Sequence, residues 1–221
     1  MEIDHCVFPD DLLYLVEDNT WIKVHQNHRV ELGVTSLLAG IAGPLVRATL
    51  KTGNLHFSRG QSLGTLESEK FVGPVRSPIS GQLVESNPRV VEDPRIINRS
   101  CYVEGWIAKI QPSNWEGEKR LLRSATDARD LLTEAIATNH VRCFKAFPDR
   151  EMYEIGTECT AVIVHLNDQI ASMKSGDVIH LVSDDPTAYV EMVAWSDRTG
   201  QSLVDWRKEG DLFHFIVKKI R

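Results

Sequence analysis

Apolar and polar residues in the first half of the chain follow the pattern of short β-strands separated by turns. Runs rich in branched and aromatic side chains are interrupted by Asp18-Asn19 and Gly53, residue types that favour turns. The pattern predicts strands over residues 14–17, 20–24, 29–34, 45–50, 63–66, 77–84, 96–98 and 106–110. Together these segments predict a small flattened barrel of antiparallel strands.

Two segments of the same half do not follow the strand pattern. An apolar patch around Phe8 and Leu12 is expected to pack as an extension on the first domain. Thr35 is a residue type that caps helices, and the apolar stretch after it ends at Gly43-Pro44. A short helix is therefore predicted between Thr35 and Gly43.

The apolar positions change to a helical period after residue 115. They recur about every 3.6 residues with charged residues between them. The members of this series are Leu121, Leu122, Ala128, Leu131, Leu132, Ala135 and Ile136. One or two amphipathic helices are predicted over residues 116–139, ending at Asn139-His140. The first domain is thus predicted over residues 1–139, and residues 140–150 are typical of a linker.

A second domain is predicted over residues 151–221, where the strand pattern restarts. The apolar pattern predicts a strand, a helix, a buried strand, a second helix and a closing hairpin. The second helix should start at Asp184-Asp185-Pro186, since an acid can cap a helix and proline fits its first turn. The buried face of that helix is predicted to contain Tyr189, Val190 and Val193. The order βαβαββ predicts a two-layer α/β sandwich.

The composition is that of an ordinary globular protein, and the length leaves room for one large or two small domains; the patterns above predict a two-domain α+β fold. The chain has 221 residues, 42% hydrophobic and 25% charged, with a net charge of −6. This charge, without a basic stripe, argues against a nucleic-acid partner. No apolar run approaches the roughly 20 residues that a membrane span needs, and residues 1–5 lack the start of a signal peptide. We therefore expect a cytoplasmic protein with no membrane partner.

Neither the cysteines nor the histidines form a metal-ligand pattern. The cysteines stand at positions 6, 101, 143 and 159, without CxxC spacing, and in a reducing compartment they are expected to be free thiols. Cys6, Cys101 and Cys143 are interpreted as structural. His25 and His28 lie three residues apart in a predicted turn, which is poor geometry for a metal without further ligands. No metal site is predicted.

Lys70 is the first candidate for chemistry. It ends the polar stretch Glu67-Ser68-Glu69-Lys70, which falls where a tight turn between two strands is expected. A lysine at the tip of a hairpin keeps its amine away from the protein body, where the amine can be modified. The alternative is an ordinary solvated lysine.

The residues around Lys70 are part of a longer series of spaced positions. The series resembles the H protein of the glycine cleavage system and its lipoyl-carrier relatives over residues 12–115. Its members are Gly33-Val34-Thr35, Gly53, Glu67-Ser68-x-Lys70, Ser77-Pro78-x-Ser80-Gly81, Asn87, Pro94, Ile97-Asn98, Tyr102 and Gly105-Trp106. The resemblance implies a lipoyl-type barrel-sandwich hybrid with helices after it. It also implies that Lys70 carries lipoate in amide linkage.

The immediate flanks of Lys70 depart from the usual glycine-cleavage form, in which a small apolar residue and alanine flank the lysine. They look closer to the lipoate-binding proteins associated with heterodisulfide-reductase-like sulfur oxidation. Glu67 and Glu69 place negative charge beside the amine. This charge serves either solubility alone or recognition by the lipoylating enzyme, and the sequence leaves both possibilities open.

The βαβαββ order, together with Asp184-Asp185-Pro186, Trp195, Gly200 and the closing positions Phe215, Val217 and Lys218, resembles the TusA/SirA family of small sulfur carriers over residues 150–221. In that family a cysteine at the start of the first helix carries sulfur as a persulfide and begins a C-P-x-P motif. Cys159 matches this cysteine, but Thr160 and Val162 replace both prolines. A helix N-terminus should lower the pKa of the Cys159 thiol, although Glu158 opposes the effect. The alternative is a small, partly buried apolar side chain.

These features predict a lipoyl carrier rather than a stand-alone enzyme, with possible sulfur transfer through Cys159. Lys70 would present lipoate to partner enzymes of sulfur metabolism, such as a heterodisulfide-reductase-like complex. A lipoylating enzyme is a further expected partner. One alternative is a glycine-cleavage H protein that carries an aminomethyl group to the other glycine-cleavage proteins. Another is an unlipoylated binding or scaffold module.

Overall fold

The computed structural model describes residues 1–26 and 28–221. The chain divides into two compact units, Met1–Cys143 and Phe144–Arg221, called unit 1 and unit 2 below. None of the helices within the described residues has the length and apolar character needed to span a bilayer.

Unit 1 consists of short strands, short helices and one longer helix near its end. Its strands are β1 Glu2–Ile3, β2 Cys6–Val7, β3 Leu13–Leu15, β4 Thr20–Val24, β5 Val30–Val34, β6 Leu45–Leu50, β7 His56–Phe57, β8 Ser62–Ser68, β9 Val72–Arg76, β10 Gly81–Ser86, β11 Ala108–Pro112 and β12 Arg123–Ser124. Its α-helices are α1 Ser36–Ala42, α2 Pro88–Glu92, α3 Arg95–Ser100, α4 Trp115–Glu118 and α5 Arg129–Thr138.

Two sheets of unit 1 pack over one apolar core. One sheet has the strand order β12-β3-β4-β5-β11-β10-β7, and the other has the order β6-β8-β9. Their shared core includes Ile22, Leu32 and Ile110 from the first sheet and Leu66 and Val75 from the second. Within the described residues, the strand pairings leave the two sheets separate, so the predicted closed barrel is not formed. The predicted α+β lipoyl-type fold is therefore present as a sandwich.

The N-terminal extension and helix α5 form a second apolar cluster of unit 1. Phe8 and Leu12 are buried there, as predicted, together with Leu132 and Ile136 of α5. Helix α5 ends at Thr138, as predicted, but the predicted helical stretch over residues 116–139 is interrupted: α4 ends at Glu118, Arg123–Ser124 pairs with β3 as strand β12, and α5 starts only at Arg129.

A disulfide joins Cys6 to Cys143 within unit 1. The expectation that all four cysteines are free thiols is therefore wrong for this pair, while Cys101 and Cys159 are free. The two bonded residues are 137 positions apart in the chain. Their pairing depends on the fold that brings the ends of unit 1 together, and sequence spacing does not contain that information.

Two predicted strands of unit 1 are wrong. Residues 96–98 lie in helix α3, because Asp93-Pro94 starts a helical turn in which the Asp93 carboxylate accepts a hydrogen bond from the Arg95 N–H (3.2 Å). Residues 77–84 are not one strand, since the chain turns after Ser77, whose hydroxyl donates to the Ile79 carbonyl (2.6 Å). Strand β10 then starts at Gly81 in the other sheet.

Unit 2 has the predicted βαβαββ order. Its elements are β13 Arg150–Glu154, α6 Cys159–Ser172, β14 Val178–Ser183, α7 Ala188–Thr199, β15 Ser202–Glu209 and β16 Leu212–Lys218. The sheet order is β13-β14-β16-β15, in which only the β13–β14 pairing among the described residues is parallel. All six residues of β14 are buried, as expected from its lack of alternation.

The start and buried face of α7 differ from the prediction. The helix starts at Ala188, and it buries Ala188, Met192 and Trp195 rather than Tyr189, Val190 and Val193. Both series satisfy a helical period. The face with Met192 and Trp195 carries the larger side chains into the apolar core of unit 2, and there the Trp195 indole N–H donates to the Asn167 side chain of α6 (2.9 Å). Val190 is left 67% exposed.

Candidate functional site

Lys70 lies at the tip of the hairpin formed by β8 and β9. The last cross-strand pair is Glu67 with Val72, and the Ser68 N–H donates to the Phe71 carbonyl (2.8 Å) to close the turn. Lys70 is exposed, as the sequence predicted. The returning strand is Val72–Arg76, so the hairpin is tighter than the predicted one. The Lys70 amine is therefore carried by a short hairpin whose strands are paired up to the turn.

The Ser68 hydroxyl holds the tip to the end of helix α1. It accepts hydrogen bonds from the N–H groups of Lys70 (3.2 Å) and Phe71 (3.1 Å) and donates to the Ala42 carbonyl (2.6 Å). The Phe71 ring packs over Gly73, where an added Cβ would lie 2.4 Å from the ring. These contacts fix the backbone on both sides of Lys70.

Gly43 lies against the Lys70 side chain, and the buried Asn98 holds Gly43 in place. A Cβ built on Gly43 would lie 2.7 Å from Cε and 3.3 Å from Nζ of Lys70. The buried Asn98 side chain donates to the Gly43 carbonyl (2.9 Å) and accepts from the Leu45 N–H (2.9 Å). Gly43 has φ +70° and ψ −164°, a conformation that glycine alone adopts readily. Sequence reasoning assigned Gly43 only to ending the helix and did not identify its contact with Lys70.

The two predicted acidic neighbours share the hairpin with Lys70. Glu67 is half-buried on β8, where it pairs across the sheet with Arg47 and Val72, and Glu69 is exposed at the tip. The hairpin thus brings Glu67, Glu69 and Lys70 together within one short stretch. Two acidic residues therefore precede Lys70 in the hairpin.

Cys159 lies in unit 2 as the first residue of α6. Its backbone N–H donates to the Asp185 carboxylate (3.1 Å), so the side chain of Asp185 occupies this end of the helix. Burial raises the pKa of the Cys159 thiol, and the nearby carboxylates of Asp185 and Glu191 raise it further. A hydrogen bond with Thr187 opposes them. The expected lowering of the Cys159 pKa is therefore wrong.

Asp185 was expected to cap the second helix, and its carboxylate also accepts hydrogen bonds from the Thr187 backbone and hydroxyl (both 2.7 Å). Asp185 contacts Cys159 because the loop between β13 and α6 meets the loop between β14 and α7. A local sequence pattern does not predict such a meeting of distant loops. In the part of the chain that the structure describes, no group of three histidine, cysteine or acidic side chains could hold a metal ion.

The fold and the hairpin of unit 1 define a carrier domain of the lipoyl type, in which a small rigid sandwich presents one lysine. The family model described as glycine cleavage H-protein matches residues 12–135, and the chain belongs to this family. Proteins of the family carry covalently bound lipoate. A second family model, sulfurtransferase TusA, matches residues 154–219. The chain is thus an H-protein-like domain fused to a TusA-like sulfur-carrier domain.

Two curated relatives and one solved structure illustrate the similarity. Glycine cleavage system H protein 2 of Aquifex aeolicus (strain VF5) is 36% identical over 138 residues, which cover 62% of this chain and 86% of the relative. Glycine cleavage system H protein 5 of the same organism is 37% identical over 145 residues, or 64% of this chain and 98% of the relative. The crystal structure of a glycine cleavage system H protein from Mycobacterium marinum is 32% identical, with a TM-score of 0.50, and covers 61% of this chain and 100% of its own.

Proposed function

We propose that the protein is a lipoyl carrier that presents lipoate on Lys70 to partner enzymes of sulfur metabolism. The observation that carries the proposal is the exposed Lys70 amine on a hairpin tip whose backbone is fixed by Ser68. A lysine amine in this position fits the amide linkage to lipoate. When attached, lipoate supplies a pair of sulfurs that can carry a substrate, electrons or sulfane sulfur.

The protein's own residues anchor the arm and expose it. The β8–β9 pairing keeps the base of Lys70 rigid, so that motion is confined to the side chain and whatever it carries. Glu67 and Glu69 provide an acidic surface next to the amine, which we assign to recognition by the lipoylating enzyme. Bond making and breaking belong to the active sites of partner proteins.

The TusA-like unit on the same chain favours sulfur chemistry over aminomethyl transfer. The flanks of Lys70 support the same assignment, since Glu69 and Phe71 stand where the glycine-cleavage form has small residues. Cys159 is the residue through which unit 2 would pass sulfane sulfur to or from a partner. Its raised pKa means that a partner, rather than the helix N-terminus, has to activate it.

The second candidate function is the aminomethyl carrier of the glycine cleavage system. It is favoured by the names of the curated relatives, which match unit 1 over nearly their whole length. Reconstitution with glycine decarboxylase separates the two functions. Glycine-dependent loading of the lipoylated protein would support the second candidate. Loading by a sulfane-sulfur donor alone supports the sulfur carrier.

In vitro lipoylation with a lipoylating enzyme and an activated lipoyl donor tests the proposal itself. The wild type should gain one lipoyl group, and the Lys70→Arg variant should gain none. A Lys51→Arg variant is the matched control, since Lys51 is another exposed lysine of unit 1. If the wild type gains no mass under conditions that lipoylate a known acceptor, the unlipoylated scaffold replaces the carrier.

A further inference from the structure

We propose that Gly43 is a positioning residue for Lys70: it forms a seat along which the lysine side chain lies, and this seat sets the rate of acylation. The inference rests on the proposed function, because it concerns the same lysine. It adds a specific determinant outside the hairpin, contributed by the end of helix α1.

The first argument is the contact itself. Lys70 is an exposed residue, yet its Cε and Nζ lie only 2.7 and 3.3 Å from the place that a Cβ on Gly43 would take, which leaves no room for a side chain there. Any other residue at position 43 would displace the end of the lysine. The Lys70 side chain can therefore lie along Gly43 only because glycine has no Cβ.

The second argument is that the seat is rigid. The Gly43 carbonyl and the Leu45 N–H are both held by the buried Asn98 side chain, and the Gly43 N–H donates to the Ala39 carbonyl (3.0 Å). On the opposite side, the Ser68 hydroxyl ties the hairpin to Ala42. Seat and hairpin are thus joined directly, so the seat keeps one position relative to the hairpin backbone and gives the mobile Lys70 side chain a preferred direction along it.

A preferred direction matters for the chemistry of attachment. The neutral Nζ attacks the carbonyl carbon of an activated acyl donor, forms the amide, and releases one proton and the donor's leaving group. Misplacing a reacting group by ~1 Å can cost up to about 100-fold in rate. A seat that orients Nζ therefore raises the turnover of enzymatic acylation. It also shields one side of the amine from a small reagent.

The test compares Gly43→Ala with the wild type in two acylation assays. In the enzymatic assay, the variant should show a loss of about tenfold or more in kcat/KM for lipoylation, mainly in kcat. In the chemical assay, an N-hydroxysuccinimide ester of acetate should label Lys70 of the variant as fast as or faster than the wild type, read by peptide mass spectrometry against Lys51. Opposite responses of this kind do not follow from general unfolding.

Gly60→Ala is the matched control. Gly60 also has a positive φ, +82°, but an added Cβ there meets nothing within 4 Å. The control carries left-handed backbone strain without touching Lys70, and its lipoylation rate should equal that of the wild type. Should Gly43→Ala not fold, Ser68→Ala replaces it, because it removes the link to Ala42 without backbone strain. Ser68→Ala should also slow enzymatic lipoylation and leave chemical labelling of Lys70 as fast or faster, as expected for Gly43→Ala.

The result that would overturn the seat is a Gly43→Ala variant that folds and is lipoylated at the wild-type rate. Slower chemical labelling of Lys70 in the variant would also overturn it, whether or not any lipoylation occurs. A wild type that the enzyme does not lipoylate, combined with faster chemical labelling of the variant, would refute the proposed function and leave the seat supported.

Discussion

Replacing Asn98 by alanine should destabilise unit 1 strongly. The Asn98 side chain bonds to the backbone of Gly43 and Leu45. The substitution leaves the Gly43 carbonyl and the Leu45 N–H, both on buried residues, without their side-chain partner. Each buried group that loses its hydrogen bond costs about 1–3 kcal/mol. We therefore expect a loss of about 2–6 kcal/mol in the free energy of unfolding of unit 1.

Urea denaturation combined with peptide-resolved hydrogen exchange measures this loss. Because the chain contains two units, a single spectroscopic transition need not report on one unit alone. Exchange in a peptide covering β6, which starts at Leu45, assigns the change to unit 1. Peptides of unit 2 should keep their wild-type protection.

Asn139→Ala is the matched control for Asn98→Ala. The Asn139 side chain also donates to a backbone carbonyl, that of Ala135 (2.8 Å), but it is exposed. Its removal should change the free energy of unfolding by only about 0.5–1.5 kcal/mol or less. If Asn98→Ala costs no more than Asn139→Ala, the buried hydrogen bonds do not hold the Gly43 segment, and the reasoning is refuted.

Two further predictions concern the cysteines. Asp185→Asn should lower the pKa of Cys159, because a negative charge next to the thiol disfavours the thiolate; the pH profile of iodoacetamide labelling at Cys159 should then shift to lower pH. Cys143→Ser should lower the free energy of unfolding of oxidised unit 1 by about 3–5 kcal/mol, because the unfolded chain regains the entropy that a very long disulfide loop restricts. Urea denaturation measures this loss.

Each of these predictions has an internal check. Cys101 should not react in the native protein, since burial raises its pKa to about 12, and Asp197→Asn on the far part of α7 should leave the Cys159 profile unchanged. An unshifted profile in Asp185→Asn contradicts the electrostatic account. For the disulfide, reduction of the wild type should reproduce the effect of Cys143→Ser. Alkylation of Cys143 in unreduced native protein would show that the bond is absent.

The repeated turn residues and the apolar periods were enough to predict the two-domain α+β fold, the βαβαββ order of unit 2 and the exposed position of Lys70. Local patterns carry this information because they reflect burial along one element at a time. They failed where one helical period fits two faces, as for α7, which buries Met192 and Trp195 in the core of unit 2, with the Trp195 indole bonded to Asn167.

The series of residues that resembles the H-protein family includes several that support the fold. An added Cβ on Gly33 would lie 2.6 Å from the Trp21 ring, so glycine is required there for packing. Asn87 is buried and donates to the Glu104 and Trp106 carbonyls (both 2.8 Å). Sequence spacing identified such positions without revealing their roles, since each contact joins segments distant in the chain.

The candidate site was only partly predictable for the same reason. Lys70, Glu67 and Glu69 are neighbours in the sequence and were found together. Gly43 contacts Lys70 only through the folded chain, Asn98 holds Gly43 in the same way, and Asp185 likewise meets Cys159. The disulfide between Cys6 and Cys143 likewise needs the tertiary structure.

Intact mass spectrometry of the protein purified from its native cells, with peptide mapping of Lys70, tests the central claim most directly. The account predicts the added mass of one lipoyl group, located on the peptide that contains Lys70. Native protein with an unmodified Lys70, from cells in which other lipoyl proteins are fully modified, would contradict it.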